Sequence, residues 1–337
     1  MYANANIIAS LDLPEIMTAF YDVFNGDADG VCALQQLRLA EPRASVLVTG
    51  VKRDISLLER VAADSGDEIT VLDVSLARNA AALQRQLERG VRCRYFDHHF
   101  PGEIPAHPNL TTFIDTASDI CTSLLVDRYL DGRQRIWAVV AAFGDNLAAS
   151  ARKAALTINL NEQQVEQLRV LGECINYNAY GETVEDLIYD PADLYQTLSR
   201  YADPFEFIVL EPVFDILRTA SEDDLFRAGE VRPEFATSRC AVFVLPDMAW
   251  TRRVSGSLGN RLARQSPDRA HAVLTRDKGG YRVSVRAAQN RPRGADALCR
   301  QFASGGGRSG AAGIDFLADG EFARFTSAFA QAFDQTA

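Results

Sequence analysis

Carboxylates and histidines in this sequence gather where short apolar runs end. Asp27 and Asp29 follow the run 20–24, inside the turn Asn25-Gly26-Asp27-Ala28-Asp29-Gly30, and Asp73 closes the run 69–73. Asp97-His98-His99 follows 92–96, and a later apolar segment, 137–143, ends in Gly144-Asp145. Two Asp one residue apart, braced by Gly26 and Gly30, can aim their oxygens at one point. A lone Asp after a strand is more often a helix cap, and a lone His is usually structural. Here four segment ends deliver such groups, and two of the chain's four His are adjacent at one of them. Clustered carboxylates repel one another without cations, and oxygen plus imidazole donors suit Mn²⁺ or a similar divalent ion.

The elements that must position these residues follow from periodicity. Strands are expected at 20–24, 45–50, 69–73 and 92–96, with helical patterns at 31–39, 55–63 and 76–88 between them. Strand-then-helix alternation indicates βαβ units and a parallel sheet, with ligands at the carboxyl ends of its strands. From about 151 the text turns helical and acidic, with 17 Asp/Glu against 7 Lys/Arg up to residue 235. Strand-like text returns at 241–245, 272–275 and 281–286, with helices near 257–264 and 295–302. The expected class is α/β: an N-terminal parallel-sheet domain over 1–150, a helical connector over 151–237 and a smaller α/β domain over 238–337.

Composition narrows the class. The chain has 337 residues, a formal net charge of −10, 47% apolar and 24% charged residues, as in an ordinary globular protein. The apolar runs are strand-sized, so no membrane helix is expected, and the first 20 residues lack the features of a secretory signal. Six scattered Cys without a CxxC pair argue against a disulfide framework or a thiolate zinc site, and the expected compartment is the cytoplasm. Residues 238–337 carry 15 Lys/Arg against 8 Asp/Glu, a basic module fit to face an anion.

Taken together, the motifs resemble the DHH phosphoesterase superfamily, named for the sequence present here as Asp97-His98-His99. Asp27-Ala28-Asp29-Gly30 is similar to the first motif of RecJ-type exonucleases, Asp73 to the second and Gly144-Asp145 to the fourth. Ser284-Val285-Arg286 and Gly305-Gly306-Gly307-Arg308-Ser309-Gly310-Ala311-Ala312-Gly313 resemble the associated DHHA1 domain, an arrangement shared with nanoribonucleases and cyclic-dinucleotide phosphodiesterases. The resemblance implies that Asp27, Asp29, Asp73, His98 and Asp145 ligate two Mn²⁺ ions, Asp73 bridging them. It places His99 near the substrate phosphate as a catalytic group and Asp97 behind the histidines to orient them. Arg286, Gly305, Gly306, Gly307 and Arg308 become the substrate-binding face. Two departures stand out: Val23 replaces a His that many relatives carry, which weakens one metal site, and Arg308 replaces the His usual after the glycines.

The implied chemistry is hydrolysis of phosphodiester or phosphomonoester bonds in a di- or oligonucleotide, a cyclic dinucleotide or another phosphorylated small molecule, by water activated between two metals. The glycine triplet, taken as a loop, would offer bare backbone N–H groups to an anion. Because neither end of the chain holds a whole site, the two domains are expected to close on the substrate. A pyrophosphatase- or polyphosphatase-like hydrolase is a second option, and a nucleotide- or RNA-binding protein with an impaired metal site is a third; no membrane partner is expected, and a homodimer stays open. Metal content and a product assay across dinucleotides, cyclic dinucleotides and pyrophosphate discriminate among them. Secondary candidates are Lys52-Arg53 at the cleft mouth, Cys121-Thr122-Ser123 as a helix cap, and Phe205, Phe207 and the tyrosines of 177–180 as base platforms, each with core packing or a solvated surface as the plainer reading.

Overall fold

The computed structural model describes residues 18–334. Five strands, β1 (Phe20–Phe24), β2 (Val46–Val48), β3 (Glu68–Leu72), β4 (Arg92–Asp97) and β5 (Leu110–Ile114), form an all-parallel sheet in the order β2-β1-β3-β4-β5. Helices α1 (Ala28–Ala40) and α2 (Leu76–Glu88) cover its two faces. The strand order reverses beside β1, so the loops leaving β1 and β3 diverge and open a crevice at their carboxyl ends. Open α/β sheets bind their ligands at such a switch point.

Two expectations for this half change. The 55–63 pattern yields only one 3-10 turn, Leu57–Arg60, whose Leu57 and Leu58 plug the core. The apolar segment 137–143 is no strand but the centre of helix α4 (Arg135–Gly144), with every residue from Trp137 to Gly144 buried. A fully buried helix shows no polar face, so its text cannot be told from that of a buried strand.

Beyond α3 (Thr122–Tyr129) and α4 run α5 (Ala148–Thr157), α6 (Glu162–Asn178), α7 (Pro191–Leu198), α8 (Pro204–Leu210) and α9 (Pro212–Gly229). These helices do not stand apart as a spacer. Ala151, Leu168, Leu171, Leu194, Phe207 and Leu217 share one buried core with Leu34 of α1 and with Phe24, Leu72 and Phe96 of the sheet.

The second sheet has six strands: β6 (Phe235–Ala236), β7 (Cys240–Leu245), β8 (Ala270–Asp277), β9 (Gly280–Arg286), β10 (Gly305–Arg308) and β11 (Ala311–Ala318). Their order is β10-β11-β9-β8-β7-β6, with only β7 and β8 parallel. Helix α10 (Ala249–Gln265) faces the first half of the molecule, and α11 (Ala295–Cys299) and α12 (Phe322–Phe333) pack on the other face. Tyr177, Ala228, Leu245, Val254, Leu258 and Val273 form a buried cluster across the junction. Arg253 spans it, pairing with Asp224 at 2.7 Å and donating to Tyr177 Oη at 2.9 Å. The described residues contain no helix long and apolar enough to cross a membrane, and all six cysteines are buried and free. Residues 1–17, read above for a secretory signal, lie outside the described residues.

Candidate metal centre

The crevice beside β1 gathers the charged residues. The turn after β1 is built by Asn25, whose Oδ1 accepts the Asp27 N–H at 3.1 Å while its Nδ2 donates to the Lys52 carbonyl. Asp27 caps α1: one oxygen accepts from the Asp29 and Gly30 N–H groups at 3.0 and 3.1 Å. Its other oxygen accepts from the Lys52 ammonium at 2.5 Å. Burial works to raise the Asp27 pKa, but Lys52 and the backbone donors outweigh it and hold the group below the usual carboxylate range. Asp29 lies on the first turn of α1 yet reaches across to α3, its two oxygens accepting the Thr122 and Ser123 N–H groups at 2.7 Å each. So the paired aspartates do not both point freely at one spot; each is also a cap.

Asp73 leaves β3 with φ +58, a left-handed backbone that few residues other than Gly adopt, and Asp only somewhat more readily. Its N–H still bonds the Phe96 carbonyl at 3.0 Å, and the reversal aims its carboxylate at Thr122 Oγ1 (3.1 Å) and His98 Nε2 (3.4 Å). Strain of this kind persists where the surroundings over-determine it, and it collects at functional sites. Burial first, then the charges of Asp29 and Asp27, push the Asp73 carboxyl well above its ordinary value.

The two histidines are held differently. His98 Nδ1 lies 3.1 Å from the Ile120 carbonyl, which can only accept, so Nδ1 carries a proton; in the metal-free site Nε2–H faces the Asp73 carboxylate, and a metal ion bound at Nε2 would displace that proton. His99 Nδ1–H donates to Asp97 Oδ1 at 2.7 Å, and Asp97 is fully buried, its Oδ2 accepting the Leu76 N–H at the start of α2. Asp97 therefore orients His99 alone. Burial opposes charge on His98, but its hydrogen bond to Asp73 and the charges of Asp29, Asp73 and Asp145 carry its pKa to about 10.

Asp145 arrives at the C-terminal end of α4, not at a strand end. Gly144 and Gly172 let α4 and α6 touch: a Cβ on Gly144 would lie 2.4 Å from the Ala28 Cβ and 2.8 Å from the Gly172 carbonyl. Asp145 Oδ1 is 3.7 Å from Lys52 Nζ. Burial raises its pKa to about 6; Lys52 opposes this, and Asp29 and Asp27 add to it.

Two groups of ligand atoms lie within 4.8 Å of one another, Asp29 with His98 and Asp145, and Asp73 with His98 and His99. Four buried or half-buried carboxylates gather around one ammonium and the His98 ring, and burial together with the neighbouring carboxylates raises the pKa values of Asp73 and Asp145. The donor set of carboxylate oxygens and an imidazole that would be neutral once it holds a metal fits a divalent ion of the Mn²⁺ kind. Val23 is fully buried beside Leu57 and Val71 in the core on the α2 side, so that position faces away from any ligand role, and the Asn25 amide is spent on the turn.

The crevice opens into a cavity of about 810 Å³ whose wall includes Asp27, Asp73, His98, His99, Asp145 and, from the second sheet, Arg308. Arg286 lies elsewhere, in the wall of a neighbouring cavity of about 360 Å³ with Tyr180, Arg252 and Arg282. It bonds Asn260, Ser284 and the Val285 carbonyl and, among the described residues, pairs with no carboxylate. The loop expected at Gly305, Gly306 and Gly307 is a correction: they form β10, paired with β11, and line neither cavity. The glycines are needed because Gly305 packs on the Cys299 carbonyl, where a Cβ would lie at 1.8 Å, and because Gly307 has φ +136. Phe207 and Tyr177 are buried in the core and the junction, which removes them as base platforms.

Two of the secondary candidates take a different role from the one expected, and Phe100 is not among the residues the sequence singles out. Lys52, expected at the cleft mouth, ends inside the carboxylate cluster, against Asp27 and Asp145. Thr122 serves Asp29 and Asp73 together. Phe100, next to the histidine pair, lines the larger cavity while 78% exposed.

No protein-family model and no curated protein matches the sequence. Solved structures do. The DHH domain of a member of a ribosomal-protein family aligns with a TM-score of 0.66 at 15% identity, over 93% of this chain and 86% of that one. The chain has the fold of the DHH-domain proteins. Exonuclease RecJ bound to manganese follows at 0.59 and 19% identity, over 93% and 90% of the two chains. A pGpG-specific phosphodiesterase, PggH, from Vibrio cholerae gives 0.52 and 12%, over 92% and 97%. The alignments span both sheets, so the DHH fold accounts for the pairing of the parallel sheet with the mixed one.

Proposed function

We propose that the protein is a divalent-metal phosphoesterase acting on short nucleotides: a di- or oligonucleotide or a cyclic dinucleotide. The observation that carries this reading is the convergence of Asp29, Asp73, His98 and Asp145 at the switch point of the sheet, opposite Arg308 across one cavity. A Mn²⁺ ion held there would polarise a phosphoryl oxygen and lower the pKa of a water molecule. The remaining steps belong to the chain. Arg308 neutralises phosphate at the open side of the cavity, and Arg286, whose guanidinium has no carboxylate partner among the described residues, takes a second phosphate in the smaller cavity. His99, fixed through Nδ1, is left with Nε2 to move a proton at the leaving oxygen. The manganese-bound RecJ structure supports the choice of ion, and the likeness to a pGpG phosphodiesterase supports a small nucleotide.

Phe100 favours a nucleotide over a bare phosphoanhydride, since an exposed ring beside the histidines stacks a base and gains nothing from pyrophosphate. The test is turnover with Mn²⁺ across dinucleotides, cyclic dinucleotides, 3′-phosphoadenosine phosphate and pyrophosphate. Fastest turnover on a dinucleotide or cyclic dinucleotide is expected. Fastest turnover on pyrophosphate would replace the phosphoesterase reading with an anhydride hydrolase.

A further inference from the structure

Lys52 follows β2, and its backbone is pinned on both sides: its N–H donates to the Ala179 carbonyl at 2.8 Å and its carbonyl accepts from Asn25. The side chain runs inward. Its ammonium donates to Asp27 at 2.5 Å and to Asn176 Oδ1 at 3.3 Å, lies 3.7 Å from Asp145 and faces the Tyr180 ring at 5.6 Å. Asp27 gives one oxygen to two backbone N–H groups and turns the other to the ammonium, and it belongs to neither group of ligands able to close on an ion. Resting on the metal-dependent reading above, we propose that the Lys52 ammonium stands permanently where a two-metal phosphoesterase would hold its second ion, so that this protein works with one divalent ion and one built-in lysine charge.

Residue choice supports the assignment. The chain uses Arg for 32 of its 35 basic positions, yet here it places Lys, whose compact ammonium is a point charge on a flexible stem. A planar guanidinium cannot replace an ion in that way. Lys52 also lines both cavities, so its charge lies between Arg308 in the larger and Arg286 in the smaller. A substrate with phosphates in both passes the ammonium, which then serves the phosphoryl oxygens as the missing ion would.

The experiment counts ions. Metal-stripped full-length protein is equilibrated with Mn²⁺; bound metal per chain is measured, and the electron paramagnetic resonance spectrum is recorded. Expected for the wild type is one Mn²⁺ with the spectrum of an isolated ion. Lys52→Ala removes the charge and opens the space, and is expected to bind two ions with a spin-coupled spectrum. Lys52→Met removes the charge but fills the space, and should still bind one. Two Mn²⁺ in the wild type overturns the proposal while leaving a metal-dependent enzyme intact. A single ion in a folded Lys52→Ala variant also counts against it. No Mn²⁺ in the wild type is a different failure, since it removes the phosphoesterase reading itself. Should Lys52→Ala not fold, the wild-type count still decides.

Discussion

At the scale of single residues, the proposed reaction gives His99 the acid–base work, while Asp97 accepts at Nδ1 and fixes the tautomer. In Asp97→Asn the amide competes for the wrong tautomer. Expected is a fall in kcat of about 10²–10⁴-fold, with Mn²⁺ content unchanged; steady-state kinetics and metal analysis check both parts. Asp145 makes a pH prediction. Its folded pKa of about 6 lies above the ordinary 3.8, so its contribution is complete below the lower value and lost as pH rises through the upper one. Metal-free wild type should therefore lose roughly 1–3 kcal/mol relative to Asp145→Asn between pH 4 and 6. Thermal melts in chelator measure this, and Mn²⁺ should reverse the order, because the variant lacks a ligand. Asp27, Asp29, Asp73 and the Asp97–His99 motif were legible because their spacing after strands is itself the signal, whereas Asp145 follows a helix. The end of Lys52 was not, since nothing in a loop lysine's neighbours along the chain says where four flexible bonds will carry its charge.

At the scale of elements, the site depends on how closely α4 meets α1 and α6. Gly144→Ala places a methyl 2.4 Å from the Ala28 side chain, which can yield only by moving the helices apart. Overpacking of this sort costs about 1–3 kcal/mol, and because Asp145 is the next residue, a matching loss of Mn²⁺ affinity is expected; chemical denaturation and a metal titration read the two effects. The bounds of β1, α2 and the end of β9 were legible from alternation and helical period. Helix α4 was not, because burial on every side erases the period. The glycine triplet has the composition of a turn, and only contact with the Cys299 carbonyl shows why a strand needs glycine there.

At the scale of the whole molecule, a parallel sheet followed by a basic second domain was legible from alternation and charge. The intimacy of the junction was not, since its residues are scattered along the chain. Free opening and closing meets a buried cluster and the Arg253–Asp224 pair, whose side chains are only 11% and 5% exposed. Arg253→Met leaves Asp224 with the Tyr177 hydroxyl and only the more distant, exposed Arg227 at 3.8 Å, and a loss of about 1–3 kcal/mol in urea unfolding is expected; an unchanged midpoint would mean that the two halves unfold independently. The central claim is that carboxylates and a histidine at the switch point hold a metal ion for phosphoester hydrolysis. The measurement that meets it most directly follows turnover of a 5′-phosphorylated dinucleotide by metal-stripped protein, wild type and Asp73→Asn, before and after Mn²⁺ is added. Expected is no turnover in chelator, full turnover in the wild type with Mn²⁺, and almost none in the variant at the same Mn²⁺ concentration; equal turnover with and without the ion, or an unimpaired variant, would contradict the claim.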